Sequence, residues 1–222
     1  MIYAVEKTAT PPELKGNWNG VLWSRAVPLD IVHFRPEGSD HRPLTQARLL
    51  YNDTAVYGIF KVADRYVRCV TTEYQGQVCN DSCVEMFVQP KAGKGYFNLE
   101  FNCGGTMLCH YKTDPALGVG TARERMVLAE AELRQIQVYH SLPAVIPTEI
   151  EGPVEWFLEF ALPLEVLERH VGPLGPLAGR EWRGNFYKCA DATSHPHWGS
   201  WSPVDERNFH LPRCFGILRF NP

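Results

Sequence analysis

The stretch "GYFNLEFNCGG", Gly95 to Gly105, decides the fold. Phe97, Leu99 and Phe101 alternate with Asn98, Glu100 and Asn102, the two-residue period of a strand whose successive side chains point to opposite faces. The apolar set must enter a core. The polar set forms a row of two amides and a carboxylate on an accessible face. Asn and Glu are depleted in strands, so something other than intrinsic preference keeps them there.

The same alternation runs outward from this stretch. In "VEMFVQP", Val84 to Pro90, Val84, Met86 and Val88 stand opposite Glu85, Phe87 and Gln89. "VEWFLEFALP", Val154 to Pro163, sets Trp156, Leu158 and Phe160 against Glu155 and Glu159. In "QARLLYNDTAVYGIFKV", Gln46 to Val62, two β-rich runs flank Asn52-Asp53, residues that tolerate the left-handed conformation of a tight turn. The 17 prolines and 18 glycines are spread along the chain rather than gathered into a linker. Turn signals at short spacing between alternating runs predict an all-β fold, an antiparallel, jelly-roll-like β-sandwich forming one domain over residues 1–222. The last run, "CFGILRF" (Cys214 to Phe220), reads as a buried strand of the same sandwich. Helix is confined to one or two short pieces: "LPLEVLERHVG" (Leu162 to Gly172), stopped by its glycine, and a weaker candidate over Thr121 to Glu132.

With 222 residues, 45% hydrophobic and 21% charged, the chain has material for one sizeable core. A formal net charge of -3, with no clustered Lys and Arg, argues against a nucleic-acid partner. No apolar run approaches membrane-spanning length, and "MIYAVEKTATPPELKG" has neither the charged start nor the unbroken apolar stretch of a signal peptide. The seven cysteines, at 69, 79, 83, 103, 109, 189 and 214, follow no framework spacing. They read as reduced thiols of a soluble, cytoplasmic protein.

His195 and His197 flank a proline, and Cys79 stands four residues before Cys83, but this spacing is loose for tetrahedral zinc, so no metal site is expected. Asp81 and Asp205 sit in acidic loops that could offer oxygens to calcium, without an EF-hand pattern. There is no nucleophile elbow and no phosphate loop. Glu85 and Glu100 make the best carboxylate pair if their strands are adjacent, although nothing in the sequence marks either as having a raised pKa. Aromatic rings beside carboxylates and amides are what a sugar requires, because its C–H faces stack on rings while its hydroxyls need polar partners. Tyr74, Trp198, Trp201 and Phe209 could supply rings; Glu85, Asn98, Glu100 and Asn102 could supply the polar edge. One of the two tryptophans in "HPHWGSWSPV", His195 to Val204, is expected in the core.

"ARLLYNDTAVYGIFKVAD", "NDSCVEMFVQP", "GYFNLEFNCGG", "VEWFLEFALP" and "WSPVDERNFHLPRCFGILRF" together resemble family 9 carbohydrate-binding modules, within a DOMON-like superfamily, over nearly the whole chain. The resemblance implies a β-sandwich that binds the ends of sugar chains in a slot between two tryptophans, with calcium as a structural ion in some members. Carried onto this chain, it makes Glu85 a sugar-contacting acid and Asn98 and Glu100 polar positions of the floor. The two slot tryptophans are replaced: Val78 or Cys79 stands at the first place, with Tyr74 the nearest ring, and Phe209 at the second.

The expectation is therefore a non-catalytic binder of a mono- or oligosaccharide end. Its floor is Glu85, Asn98, Glu100 and Asn102, and its rim is Tyr74, His197, Trp198 and Phe209, with no catalytic residue. The alternative is a glycoside hydrolase or related enzyme using Glu85 and Glu100 as its pair. A haem or metal module is a third reading, which predicts a coloured or metal-bearing protein. Oligomeric state is not legible in the sequence.

Overall fold

A computed structural model describes residues 1–112 and 125–222. Its strands, in chain order, are β1 (Ile2–Lys7), β2 (Leu29–Ile31), β3 (His33–Phe34), β4 (Leu44–Tyr51), β5 (Ala55–Asp64), β6 (Val67–Cys69), β7 (Cys83–Gln89) and β8 (Tyr96–Asn102). There follow β9 (Met107–Lys112), β10 (Arg125–Val127), β11 (Gln137–His140), β12 (Ile146–Ile150), β13 (Val154–Pro163), β14 (Glu181–Cys189), β15 (Trp198–Ser200) and β16 (Gly216–Phe220). Two helices interrupt them, α1 (Glu130–Leu133) and α2 (Leu164–Val171).

The fold is an all-β sandwich. One layer runs β10-β9-β8-β7-β14-β16, the other β4-β5-β13-β11, and β1 joins them. Ile2 to Val5 pair with Ile217 to Phe220, after which Glu6 and Lys7 pair with Leu50 and Tyr51, so a single strand passes from one layer to the other. The neighbouring pairs β4–β5, β5–β13, β7–β8 and β7–β14 are antiparallel, as expected, while both β1 pairings are parallel.

The core lies between the layers. Met86, Leu99, Phe101 and Phe186 from one side meet Phe60, Trp156, Leu158 and Phe160 from the other, all buried. Phe101 and Phe160 stack across the gap with centroids 5.3 Å apart. The apolar positions of the three quoted strands account for this directly, since a period of two sends them all to the same side.

Local details depart from expectation in instructive ways. The β4–β5 turn does not use a left-handed residue; instead Asn52 Oδ1 accepts the backbone N–H groups of Thr54 and Ala55, at 2.9 Å each. Helix α2 follows Pro163 and ends at Gly172, whose φ of 78° suits a residue without a side chain. The helix expected over 121–132 is not formed: residues 121–124 lie outside the described residues, 125–127 are strand β10, and only the single turn α1 is helical. Pairing with β9 across residues 125–127 overrides the helical preference of the individual amino acids. Glu159, on the face of β13 opposite the core, is buried beneath the amino-terminal segment. There its carboxylate accepts from the Lys15 and Gly16 backbones and from Trp23 Nε1. Among the described residues, no helix is long and apolar enough to cross a membrane.

Candidate functional site

Strands β7 and β8 are buried on both faces. Their inner face meets the core, and their outer face is roofed by the segment from Trp198 to Phe215, where Val204, Leu211 and Phe215 pack on Phe87, Tyr96 and Tyr187. Hydrogen bonds hold this roof: Asn185 Nδ2 donates to Ser202 O at 2.9 Å and Tyr187 Oη to Phe209 O at 3.0 Å. Between roof and sheet lies a cavity of about 450 Å³, lined in part by Glu85, Glu100, Cys189, Asp191, Trp198 and Phe209.

Strand register builds the floor. Tyr187, Glu85, Glu100 and Leu108 lie in one row across β14, β7, β8 and β9; Asn185, Phe87, Asn98 and His110 form the next. Glu85 and Glu100 are therefore direct cross-strand neighbours, and both are buried. Burial pushes the Glu85 carboxyl well above its ordinary range, and the Glu100 charge adds to the effect. Burial likewise raises Glu100, to about 7, against the opposing pull of its Asn98 hydrogen bond and of Lys112. Two carboxyls so close cannot both ionise easily, so at neutral pH the floor offers O–H donors as well as acceptors. Asn98 orients the pair: its Nδ2 donates to Glu100 Oε1 at 2.7 Å, while its Oδ1 accepts from the His110 backbone at 3.2 Å.

The walls are aromatic. Phe209 stacks on Tyr187 with centroids 4.0 Å apart. Trp198 donates its indole N–H to Asp191 Oδ1 at 2.7 Å and carries the Arg207 guanidinium 3.6 Å from its ring centre. His210 faces the same cavity beside Tyr96 Oη, 3.0 Å from its Nδ1, and burial lowers the imidazole to about 3, leaving it neutral.

Of the residues singled out in the sequence, Glu85, Glu100, Trp198 and Phe209 line this cavity, and Asn98 reaches it through Glu100. Three do not. Asn102 is buried with its side chain committed to Asp81 Oδ2, the Thr71 carbonyl and the Thr106 N–H, so it fixes the β8–β9 turn. Tyr74 is exposed elsewhere, its ring under Arg134. His197 is not at the rim but fully buried, 2.9 Å from Lys188 Nζ, in a cluster with His41 and Asp64. The backbone alternation that turns Trp198 toward the cavity turns His197 away from it. Trp201 lies in the core, edge-on to Tyr3 and Phe186.

The reading from sequence missed Asp191, Arg207, His210 and Cys189. Cys189 had a usable signal, because Asn185, Tyr187 and Cys189 alternate along β14; the loop residues carried none. The acidic loops do not fit calcium, which takes six to eight oxygens. Asp81 is engaged by Val70 N, Thr71 N and Asn102, and Asp205 by Arg213. Among the described residues, the His, Cys, Asp and Glu side chains grouped closely enough to share an ion are Cys83, Glu85 and Cys189.

A two-layer sandwich with a roofed pocket of paired acids and aromatic rings has the form of a small-ligand site. The chain belongs to carbohydrate-binding family 9, a family of non-catalytic binding modules, whose model matches residues 24–220. Among solved structures it is similar to a provisionally assigned carbohydrate-binding protein from Bacteroides uniformis ATCC 8492, at 28% identity and a TM-score of 0.86, with 99% of each chain covered. Two structures of a family 9 module from Caldicellulosiruptor kristjanssonii share the fold. The complex with glucose has 12% identity and a TM-score of 0.63, covering 98% of this chain and 95% of the module. The complex with cellotriose has 13% identity and a TM-score of 0.65, covering 100% and 94%. No curated protein matches the chain.

Proposed function

We propose that the protein binds a monosaccharide, or the end of an oligosaccharide, in the cavity under the Trp198–Phe215 roof, without turning it over. The observation that carries this reading is the union, in one cavity, of the adjacent Glu85 and Glu100 carboxyls with the Trp198 and Phe209 rings. The carboxyls supply donors and acceptors for hydroxyls, the rings supply flat apolar area, and the volume falls within the roughly 300–1,000 Å³ of small-molecule sites. Family membership supports it, as do the sugars held in the two Caldicellulosiruptor structures. Calorimetric titration and a glycan array on the purified protein provide the test. Saturable binding of at least one saccharide, weakened by Trp198→Ala, is the expected result; no binding by any mono- or oligosaccharide overturns it.

One observation favours a second reading. The raised Glu100 carboxyl has the acidity of a general acid working near neutral pH, as a hydrolase would require. That reading demands turnover of some glycoside, abolished by Glu85→Gln, whereas a binder shows none.

A further inference from the structure

We propose that Cys83, Cys189 and Glu85 form a binding site for a thiophilic divalent cation, with zinc as the best fit, at the inner end of the cavity. This goes beyond sugar binding and does not depend on it.

The three residues come from two adjacent strands. Cys83 and Cys189 are register partners across β7 and β14, and Glu85 lies two residues along β7 on the same face. Their ligand atoms lie within 4.8 Å of one another, with Cys189 Sγ 3.1 Å from Glu85 Oε1. Zinc holds thiolate sulfur at about 2.3 Å and carboxylate oxygen at about 2.1 Å, so a tetrahedron needs its ligand atoms roughly 3.5–4 Å apart. Small rotations of side chains already in place span that difference. A second observation points the same way. Glu85 is buried, and its other carboxyl oxygen, Oε2, has no hydrogen-bond partner among the described residues. An unsatisfied buried oxygen is costly, and a cation would resolve it.

Two thiolates and one carboxylate balance the charge of a divalent ion with one negative charge to spare, and sulfur ligands select zinc over calcium or magnesium. Binding forms two metal–sulfur bonds and one metal–oxygen bond; each thiol, and the Glu85 carboxyl where it is protonated, releases its proton to solvent. Three protein ligands leave a fourth position for a water or a ligand hydroxyl; Glu85 and Cys189 both line the cavity.

The test uses metal-free, reduced protein carrying Cys79→Ser and Cys214→Ser, because those two thiols are the ones partly exposed. It is titrated with cadmium chloride while thiolate-to-metal charge-transfer absorbance is followed, then dialysed against zinc chloride and analysed for metal. One ion per chain with the absorbance of two thiolates is expected. Retention should fall at least about tenfold in each of Cys83→Ser, Cys189→Ser and Glu85→Gln, the least that losing even an outer partner of a ligand costs. Absence of charge-transfer absorbance overturns the proposal, as does undiminished retention in folded Cys189→Ser. Should the serine variants fail to fold, the absorbance of the parent decides alone. Saccharide titration of metal-free and zinc-loaded protein is read separately, so failure of the sugar reading leaves this result standing.

Discussion

Glu85 and Glu100 face each other directly across β7 and β8, two acids sunk beneath the roof of one cavity. Stability alone would not select such a pair. Each carboxyl loses hydration on burial, and among the described residues neither has a cation as its hydrogen-bond partner: Glu85 Oε1 accepts from the Cys189 thiol and Glu100 Oε1 from the Asn98 amide. Glu85→Gln in the metal-free protein is therefore expected to stabilise the fold at pH 8 by about 1 kcal/mol, raising Tm by roughly 2–4 °C. Saccharide affinity should fall about tenfold in the same variant. Scanning fluorimetry and calorimetry check the two halves, and a variant that loses both stability and binding would contradict the argument.

Trp198 supplies one wall of the cavity, with Asp191 and Arg207 fixing its indole. Trp198→Ala should weaken saccharide binding by tenfold or more, about 1.4 kcal/mol or above. Arg207→Ala, at an exposed position, should leave thermal stability unchanged and weaken binding by a smaller factor. Equal losses in the two variants would mean that the guanidinium, not the ring, is the main contact.

Three histidines, the buried His110 and His197 and the half-buried His210, make the fold sensitive to acid. Burial, followed by nearby cations, lowers His110 to about 4 and His197 to about 3; burial lowers His210 to about 3. Below an ordinary value of about 6.5 the unfolded chain takes up protons that the folded chain refuses, so stability falls as pH drops through that window. Glu100 acts in the opposite sense. Held protonated up to about 7 in the fold, it contributes stability that is complete below 4.5 and lost as pH rises to 7. The effects partly cancel between 4.5 and 6.5, and the histidines dominate below. Urea denaturation from pH 3.5 to 8 should show a steep acid limb, made shallower by His197→Gln; an unchanged limb would assign the acid sensitivity elsewhere.

Glu159 ties the amino-terminal segment to the sheet through three donors. Glu159→Ala strands all three and is expected to cost about 3 kcal/mol. Limited proteolysis should then cut within residues 12–23, and unchanged protection there would show that the hydrophobic contacts of Trp18 and Trp23 suffice.

The alternation around Leu99 and Met86 made the sandwich and its core legible, because a period of two leaves only one way to bury Phe97, Leu99 and Phe101. It also drew Glu85 and Glu100 out as a pair. It could not tell which polar residues of that face stay near open space. Asn102 belongs to the same row as Glu100 yet serves its own turn and Asp81. Tyr74 and His197 stand close in sequence to Val78 and Trp198, whereas the cavity is closed by a roof whose path depends on tertiary hydrogen bonds from Asn185 and Tyr187. The Cys83–Cys189 neighbourhood was invisible for the same reason: strand order, not spacing, brings the two thiols together.

Strand β1 has a kinetic meaning. Its residues bond in turn to β16, from the opposite end of the sequence, and to β4, and thereby close the edge where the layers meet. Pairings so distant in sequence form only after a large loop has been closed, so each layer should zip up from its local hairpins before this latch engages. Until then both sheets present bare edges to other chains, and β1 serves as the nascent protein's safeguard against aggregation as well as its last rivet.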